Sequence, residues 1–394
     1  MADRSLRNAR IGVTLLFLTN GLVWANLVPR YPEIRDELAI SYGQFGLAVA
    51  CGPAGAILLG LLAGMVVRRL TSRIVAVGTT ILMACAGIAA AAAPTWWALA
   101  AALFVMGAFD AITDVAQNSH GLRVQRAAGK SMLNGFHATW SIGAVLGGLM
   151  GGGAAGLRIP AELHMTIMTV IVIAILATAW PMLLPGKDTN GDEAHASAGG
   201  LRRVPPRVWA ILIALGLVSI AGTWVEDAGA SWSASYLRDY LGAGPTLAAM
   251  GFVALMALHF LGRFLGDRLV DLYGQRLVAR VGGAVTTVGM GVALLFPSIP
   301  LTIVGFALAG LGVATTVPAA MHGADELPGF RPGTALTIVS WMLRMGFLLG
   351  PPIVGAIADA TDLRVGLVIV PVAGISIILL SGVLSNQKAV HARE

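Results

Sequence analysis

Apolar runs of bilayer-crossing length recur along this chain with so few charges between them that no soluble fold can hold them. They fall at 11–28, 42–67, 74–93, 96–119, 131–153, 162–184, 208–230, 245–266, 277–296, 301–321, 334–358 and 365–384. At 1.5 Å of rise per residue each can cross a hydrocarbon layer about 30 Å thick. Only 12% of residues are charged, against about 25% in soluble domains. The sequence therefore predicts an all-α membrane protein of twelve transmembrane helices. Six lie in 1–184 and six in 207–394, joined by a polar linker at 185–206.

Arg and Lys set the orientation. One side collects Arg4, Arg7, Arg10, Arg68, Arg69, Arg73, Arg123, Arg126, Lys130, Lys187, Arg202, Arg203, Arg207, Arg263, Arg268, Arg276, Arg280, Arg331, Lys388 and Arg393. The other holds Arg30, Arg35, Arg158, Arg238 and Arg364. That bias places both termini and the linker in the cytoplasm. The net charge of +6 thus follows topology, and nucleic acid is not a partner. Cys51 and Cys85 fall inside apolar runs, so neither reads as half of a disulfide or as a metal ligand. The first run leads into Pro29, Arg30 and Tyr31, with no cleavage site for a leader.

The chain repeats itself. His120-Gly121 and His322-Gly323, Gly143 and Gly147 with Gly346 and Gly350, Arg73 with Arg276, and Trp24 with Trp224 recur 200 to 203 residues apart. Two six-helix halves follow, related by an axis along the membrane normal, with a site between them near mid-depth.

The fourth run carries what a lipid-facing helix does not tolerate. Asp110, Asp114 and Asn118 lie on one stripe at helical spacing, with Gln117 beside them. A carboxylate in a bilayer costs roughly 3 kcal/mol on insertion scales. Two on one face therefore point to a water-accessible seam through a transporter, where at least one acid exchanges a proton. Asp114 is ranked first, Asp110 second, and Glu226 in the seventh run is the third candidate. Glu226 and Asp227 lie in the outer third of that run, and each is either an edge residue reaching water or an acid of the seam. Arg344, near the middle of the eleventh run, should face a cavity and pair with an acid or an anionic substrate group. His137 and His259 are each either a helix–helix hydrogen bond or a relay or substrate contact. His120 and His322 read as interfacial. Trp24, Trp140, Trp224 and Trp341 are candidates to stack on a solute ring, with Asn26 beside the first. Trp96, Trp97 and Trp180 are interfacial anchors. Gly346, Gly350, Pro351 and Pro352 form a packing and kinking device. No phosphate loop, nucleophile constellation or metal cluster is evident, so neither an enzyme nor a cofactor is implied.

On these residues the chain resembles the major facilitator superfamily over essentially its whole length. Asp271-Leu-Tyr-Gly274-Gln-Arg276 is similar to that superfamily's inner-loop signature, whereas the first copy, Arg68-Arg69-Leu70-Thr71-Ser72-Arg73, has Arg where Asp is usual. That departure, preceded by Ala63-Gly64, resembles the fucose:proton symporter branch. So does Asp114-Val-Ala-Gln-Asn118, whose acid in that branch serves proton coupling. The run Leu133-Asn134-Gly-Phe-His137-Ala-Thr-Trp140-Ser141-Ile-Gly143 is similar to a helix in which polar side chains touch the sugar. His137 and Trp140 stand where the fucose symporter has Gln and Asn, and that symporter's helix-one acid has no counterpart near Ala25. Glu226 with Ser231-Trp232 resembles other bacterial members of the branch.

The resemblance implies gating by Arg68, Arg69, Arg73, Asp267, Asp271 and Arg276. It implies solute contacts from Asn118, Asn134, His137 and Trp140, to which the residues read on their own add Arg344, Trp24, Asn26, Trp224 and His259. The expected activity is proton symport of a small polar solute, sugar-like or a related metabolite, across a bacterial inner membrane by a monomer. Its partners are the solute, protons and lipid. Proton-coupled efflux of a drug or metabolite is the alternative. A non-transporting sensor is disfavoured because both inner loops keep their basic form.

Overall fold

A computed structural model describes residues 2–130, 132–186, 204–330 and 333–385, with side chains from Leu6 onward. Lys187, Arg202, Arg203, Arg331, Lys388, Arg393 and most of the expected linker, 187–203, lie outside the described residues. The described chain is helical throughout, with no strand. Its main elements are α1 (Leu6–Glu37), α2 (Tyr42–Gly60), α3 (Ser72–Ala91), α4 (Trp96–Ala128), α5 (Leu133–Gly156), α6 (Ala161–Met182), α7 (Pro206–Tyr240), α8 (Pro245–Tyr273), α9 (Gln275–Leu295), α10 (Ile299–Asp325), α11 (Thr334–Ala360) and α12 (Leu363–Val383).

Among the described residues, 11 of these are long and apolar enough to cross a membrane. The exception is α5, which has the length, 24 residues, but spends eight of them on glycine. Its glycines serve close approach instead. Gly143, Gly147 and Gly151 face α1, where a Cβ on Gly147 would stand 2.9 Å from that of Ala25. Gly148, Gly152 and Gly156 face the start of α8, where a Cβ on Gly148 would stand 2.9 Å from the Phe252 ring. Small residues at this spacing let helices meet backbone to backbone.

Several helices overrun their apolar runs, because polarity does not end a helix. The α4 helix starts at a Thr95 N-cap, whose side chain accepts from the Ala98 amide at 3.2 Å. It continues through Arg123 and Arg126, expected in a loop, and stops only at Gly129 with φ 62°. Along α1, Pro29 costs only a 3₁₀ turn at Val28–Arg30 before helix resumes to Glu37. The end of α7 relaxes into a π turn at Tyr236–Tyr240.

By packing, one compact unit gathers Met1–Asn190 with Ala234–Val253, and a second gathers Gly191–Ser233 with Ala254–Glu394. Inside the first unit, Arg35 and Asp36 meet Arg238 and Asp239 crosswise. Arg35 reaches Asp239 at 2.9 Å and Arg238 reaches Asp36 at 2.6 Å. Tyr42 adds a hydroxyl to Asp239 at 3.3 Å, with Arg35 stacked 4.2 Å over its ring.

Matching backbone geometry marks the start of α3 and of α9. Thr71 has φ 80° and ψ 146°, and Gly274, 203 residues on, has φ 82° and ψ 151°. Only Gly adopts such angles without strain, which for other residues costs about 1–3 kcal/mol. Thr71→Gly is therefore expected to raise the thermal midpoint in detergent, and Gly274→Thr to lower stability by about 1–3 kcal/mol. Opposite signs in a pair of melting curves are the check.

Candidate functional site

The α4 acids each begin a short polar chain that ends on a ring of α5. Asp110 is half-buried, and its Oδ1 accepts from Asn20 Nδ2 at 2.8 Å. Asn20 Oδ1 in turn accepts from Trp140 Nε1 at 2.6 Å. One turn along, Asp114 is exposed, and its Oδ1 accepts from Asn118 Nδ2 at 2.9 Å and, more loosely, from Gln117 Nε2 at 3.4 Å. Asn118 Oδ1 lies 3.1 Å from His137 Nε2, which is the donor because an amide oxygen only accepts. Phe17 packs edge-on to His137 with centroids 5.0 Å apart. Both chains lie within the first unit.

This geometry redistributes the expected roles. Asn118 donates twice to Asp114, to its backbone oxygen at 2.8 Å as well as to its carboxylate, and accepts from His137. Its polar atoms already have partners inside the protein. The Trp140 N–H is likewise committed, leaving its ring face. Asn134, one turn before His137, is exposed. Trp24 packs edge-on to Phe252 at 5.7 Å. Asn26 is wholly buried, with its amide donating to Leu22 O at 2.8 Å, a packing role within α1.

In the second unit, Trp224 donates to Gly346 O at 3.1 Å, tying α7 to α11. Glu226 is half-buried and Arg344 is exposed on α11. His259 is 4% exposed on α8. Asp227 is not an edge residue: it is 7% exposed, accepts from Ser231 at 3.0 Å, and seats Oδ2 where a Cβ on Gly350 would stand 2.8 Å away. His120 sits where α3 begins and just past the end of α6. It is fully buried, with Nδ1 2.8 Å from Ser72 Oγ and Nε2 accepting from the Leu184 amide at 3.1 Å. Its counterpart His322 is exposed and reaches Glu326 at 3.4 Å.

Among the expected gating residues, Arg68, Arg69, Asp267 and Asp271 are exposed. Arg73 bonds Trp180 O at 2.7 Å and stacks 4.1 Å over that indole, holding α3 to the end of α6. Arg276 does the same for α9 and α12 through Gly382 O at 2.8 Å and Leu384 O at 3.3 Å. The repeat visible in sequence thus recurs as one staple in each unit.

Asn20 is the site residue that sequence reasoning missed. Asn20 and Asn26 are the two amides of the first apolar run, and Asn20 was open to the same cost argument that singled out Asp110. Among the described residues no group of three or more His, Cys, Asp or Glu is arranged to hold a metal.

Among the described residues, 11 helices long and apolar enough to cross a membrane define a multi-span membrane protein. A family model described as Major Facilitator Superfamily matches residues 13–258 and 218–393, and the chain belongs to that superfamily. It is 29% identical over 379 residues to the uncharacterized transporter y4wD of Sinorhizobium fredii, covering 95% of this chain and 98% of that one. It is 29% identical over 363 residues to the membrane protein MosC of Rhizobium meliloti, covering 92% and 87%. A similar fold occurs in a bacterial homolog of the human lysosomal transporter Spinster, in an inward-facing and occupied conformation, with a TM-score of 0.74 at 16% identity and 95% of each chain covered. The nucleoside transporter NupG gives 0.73 at 13%, covering 95% of this chain and 99% of that one, and a D-xylose-proton symporter gives 0.70 at 13%, covering 95% and 96%.

Proposed function

We propose that this transporter moves a small polar solute, sugar-like or a related metabolite, together with a proton across a bacterial cytoplasmic membrane. The observation that carries the reading is the pair of acid–amide–ring chains, Asp110–Asn20–Trp140 and Asp114–Asn118–His137. An exposed carboxylate beside the His137 and Trp140 rings suits a solute rich in hydroxyls, and a second carboxylate stands one turn away on the same helix. Similarity of the α4 and α5 motifs to the fucose:proton symporter branch supports the same reading, as does the proton symport named for a neighbour in fold. In this reading α5 is the fifth of twelve spans, both termini and the 185–206 linker are cytoplasmic, and two six-helix halves alternate as a monomer. Glu226 and Arg344 serve the second half, and the Arg68–Arg73 and Asp267–Arg276 loops serve gating.

Protonation and solute binding drive such a cycle only through differential affinity for its states. The test is a thermal-shift screen of purified protein against sugars, nucleosides and cationic drugs, followed by uptake in liposomes with an acid exterior. A neutral polyhydroxylated solute is expected to stabilise the protein and to accumulate. Stabilisation by cationic drugs alone, with no accumulated solute, would overturn the reading in favour of efflux.

A further inference from the structure

We propose that Asn20 is a positioning residue that ties the protonation state of Asp110 to the indole of Trp140. The inference rests on the proton-coupled reading of the α4 acids, and it assigns a role on α1 to a residue outside the expected site. Asn20 is 3% exposed, and each of its polar groups has a side-chain partner. Nδ2 donates to Asp110 Oδ1 at 2.8 Å and to Met83 Sδ at 3.7 Å, and Oδ1 accepts from Trp140 Nε1 at 2.6 Å.

The orientation of the amide is fixed by chemistry. An indole N–H only donates, so the amide oxygen must face Trp140 and the NH₂ must face Asp110. The reversed amide would set donor against donor at Trp140 and oxygen against oxygen at a charged Asp110. Because Oδ1 of Asp110 already accepts from Asn20, an arriving proton goes to Oδ2. A charged carboxylate draws on the NH₂ group, polarises the amide and strengthens the bond from Trp140, and a neutral carboxyl weakens it again. Trp140 stands one helical turn from His137, where the Asp114 chain ends. The state of each acid is therefore delivered to neighbouring rings of α5. The nearest titratable groups along the two helices are Asp114, one turn from Asp110 on α4, and His137, one turn from Trp140 on α5, while α1 and α3 contribute Asn20 and Met83.

The full chain labelled with 15N-tryptophan gives few indole signals, since the sequence holds 9 Trp, and Trp140→Phe identifies the one required. Between about pH 5 and 9 the Trp140 indole signal of the unmodified protein is expected to move. The movement is expected to be lost in Asp110→Asn, which keeps the amide bridge but cannot ionise. It is expected to persist in Asp114→Asn and to be lost in Asn20→Leu. Full movement in Asp110→Asn, or none in the unmodified protein, overturns the proposal, and neither outcome depends on whether Asn20→Leu folds. No solute enters the measurement. The expected pattern in a protein that concentrates no solute therefore supports the Asn20 assignment and counts only against the transport reading.

Discussion

Asp114→Asn is expected to abolish accumulation driven by a pH gradient while leaving exchange of solute between equal pools intact. The substitution keeps the shape of a protonated carboxyl, so a step that requires the neutral acid still proceeds. What is lost is the return of the empty carrier, which must release its proton inside. A gradient of one pH unit supports roughly tenfold accumulation at one proton per solute, because a proton then carries about 1.4 kcal/mol. The variant should settle at a ratio near one. Asp110→Asn is expected to be milder. Asp110 is half-buried and held by Asn20, whereas Asp114 is exposed and loses little by exchanging with water. Reconstituting both variants and measuring exchange beside gradient-driven uptake is the check. If Asp114→Asn still concentrates solute while Glu226→Gln does not, the coupling site moves to α7. If neither substitution matters, the protein is a uniporter.

The helical plan was legible because bilayer-length apolar runs are long signals that averaging cannot hide. Their ends were not, and α4 shows why. Arg123 and Arg126 read as loop by polarity, yet nothing between Ser119 and Gly129 breaks a helix, and only the left-handed Gly129 stops it. The fifth helix shows the converse. Its glycines lower hydropathy while improving packing, so an apolarity criterion passes over a helix held by close backbone contact. The candidate site was legible where cost gave it away, in Asp110 and Asp114. It was illegible where a partner lay 90 residues off in another helix, as Asn20 does. Asp227 stayed open between edge and interior for a related reason: its seat depends on a glycine of α11 that no local pattern around Asp227 reports.

Reversing one charge in the crosswise cluster of the first unit is expected to loosen Ala234–Val253, and reversing its partner to restore it. Arg35-Asp36 and Arg238-Asp239 are copies of one dipeptide 203 residues apart, and each Arg bonds the other copy's Asp. Within a single chain this reproduces the reciprocity of a twofold interface. Exposed ion pairs contribute only about 0.2–1 kcal/mol, but Arg35 and Asp239 are just 12% and 17% exposed, and Arg238 also bonds Pro32 O at 3.1 Å. Arg238→Asp replaces both attractions with repulsion from Asp36 and Asp239, at a cost of about 2 kcal/mol once solvent screening at the half-exposed Asp36 is allowed for. Hydrogen exchange of the amides in 241–250 should then quicken about thirtyfold. Asp36→Arg in the same chain re-forms the pair with its signs exchanged and should recover most of that protection. A high-salt buffer should narrow the gap between the single and the double variant. If the double variant exchanges as fast as Arg238→Asp alone, the cluster holds nothing, and the glycine face of α5 is what retains the segment.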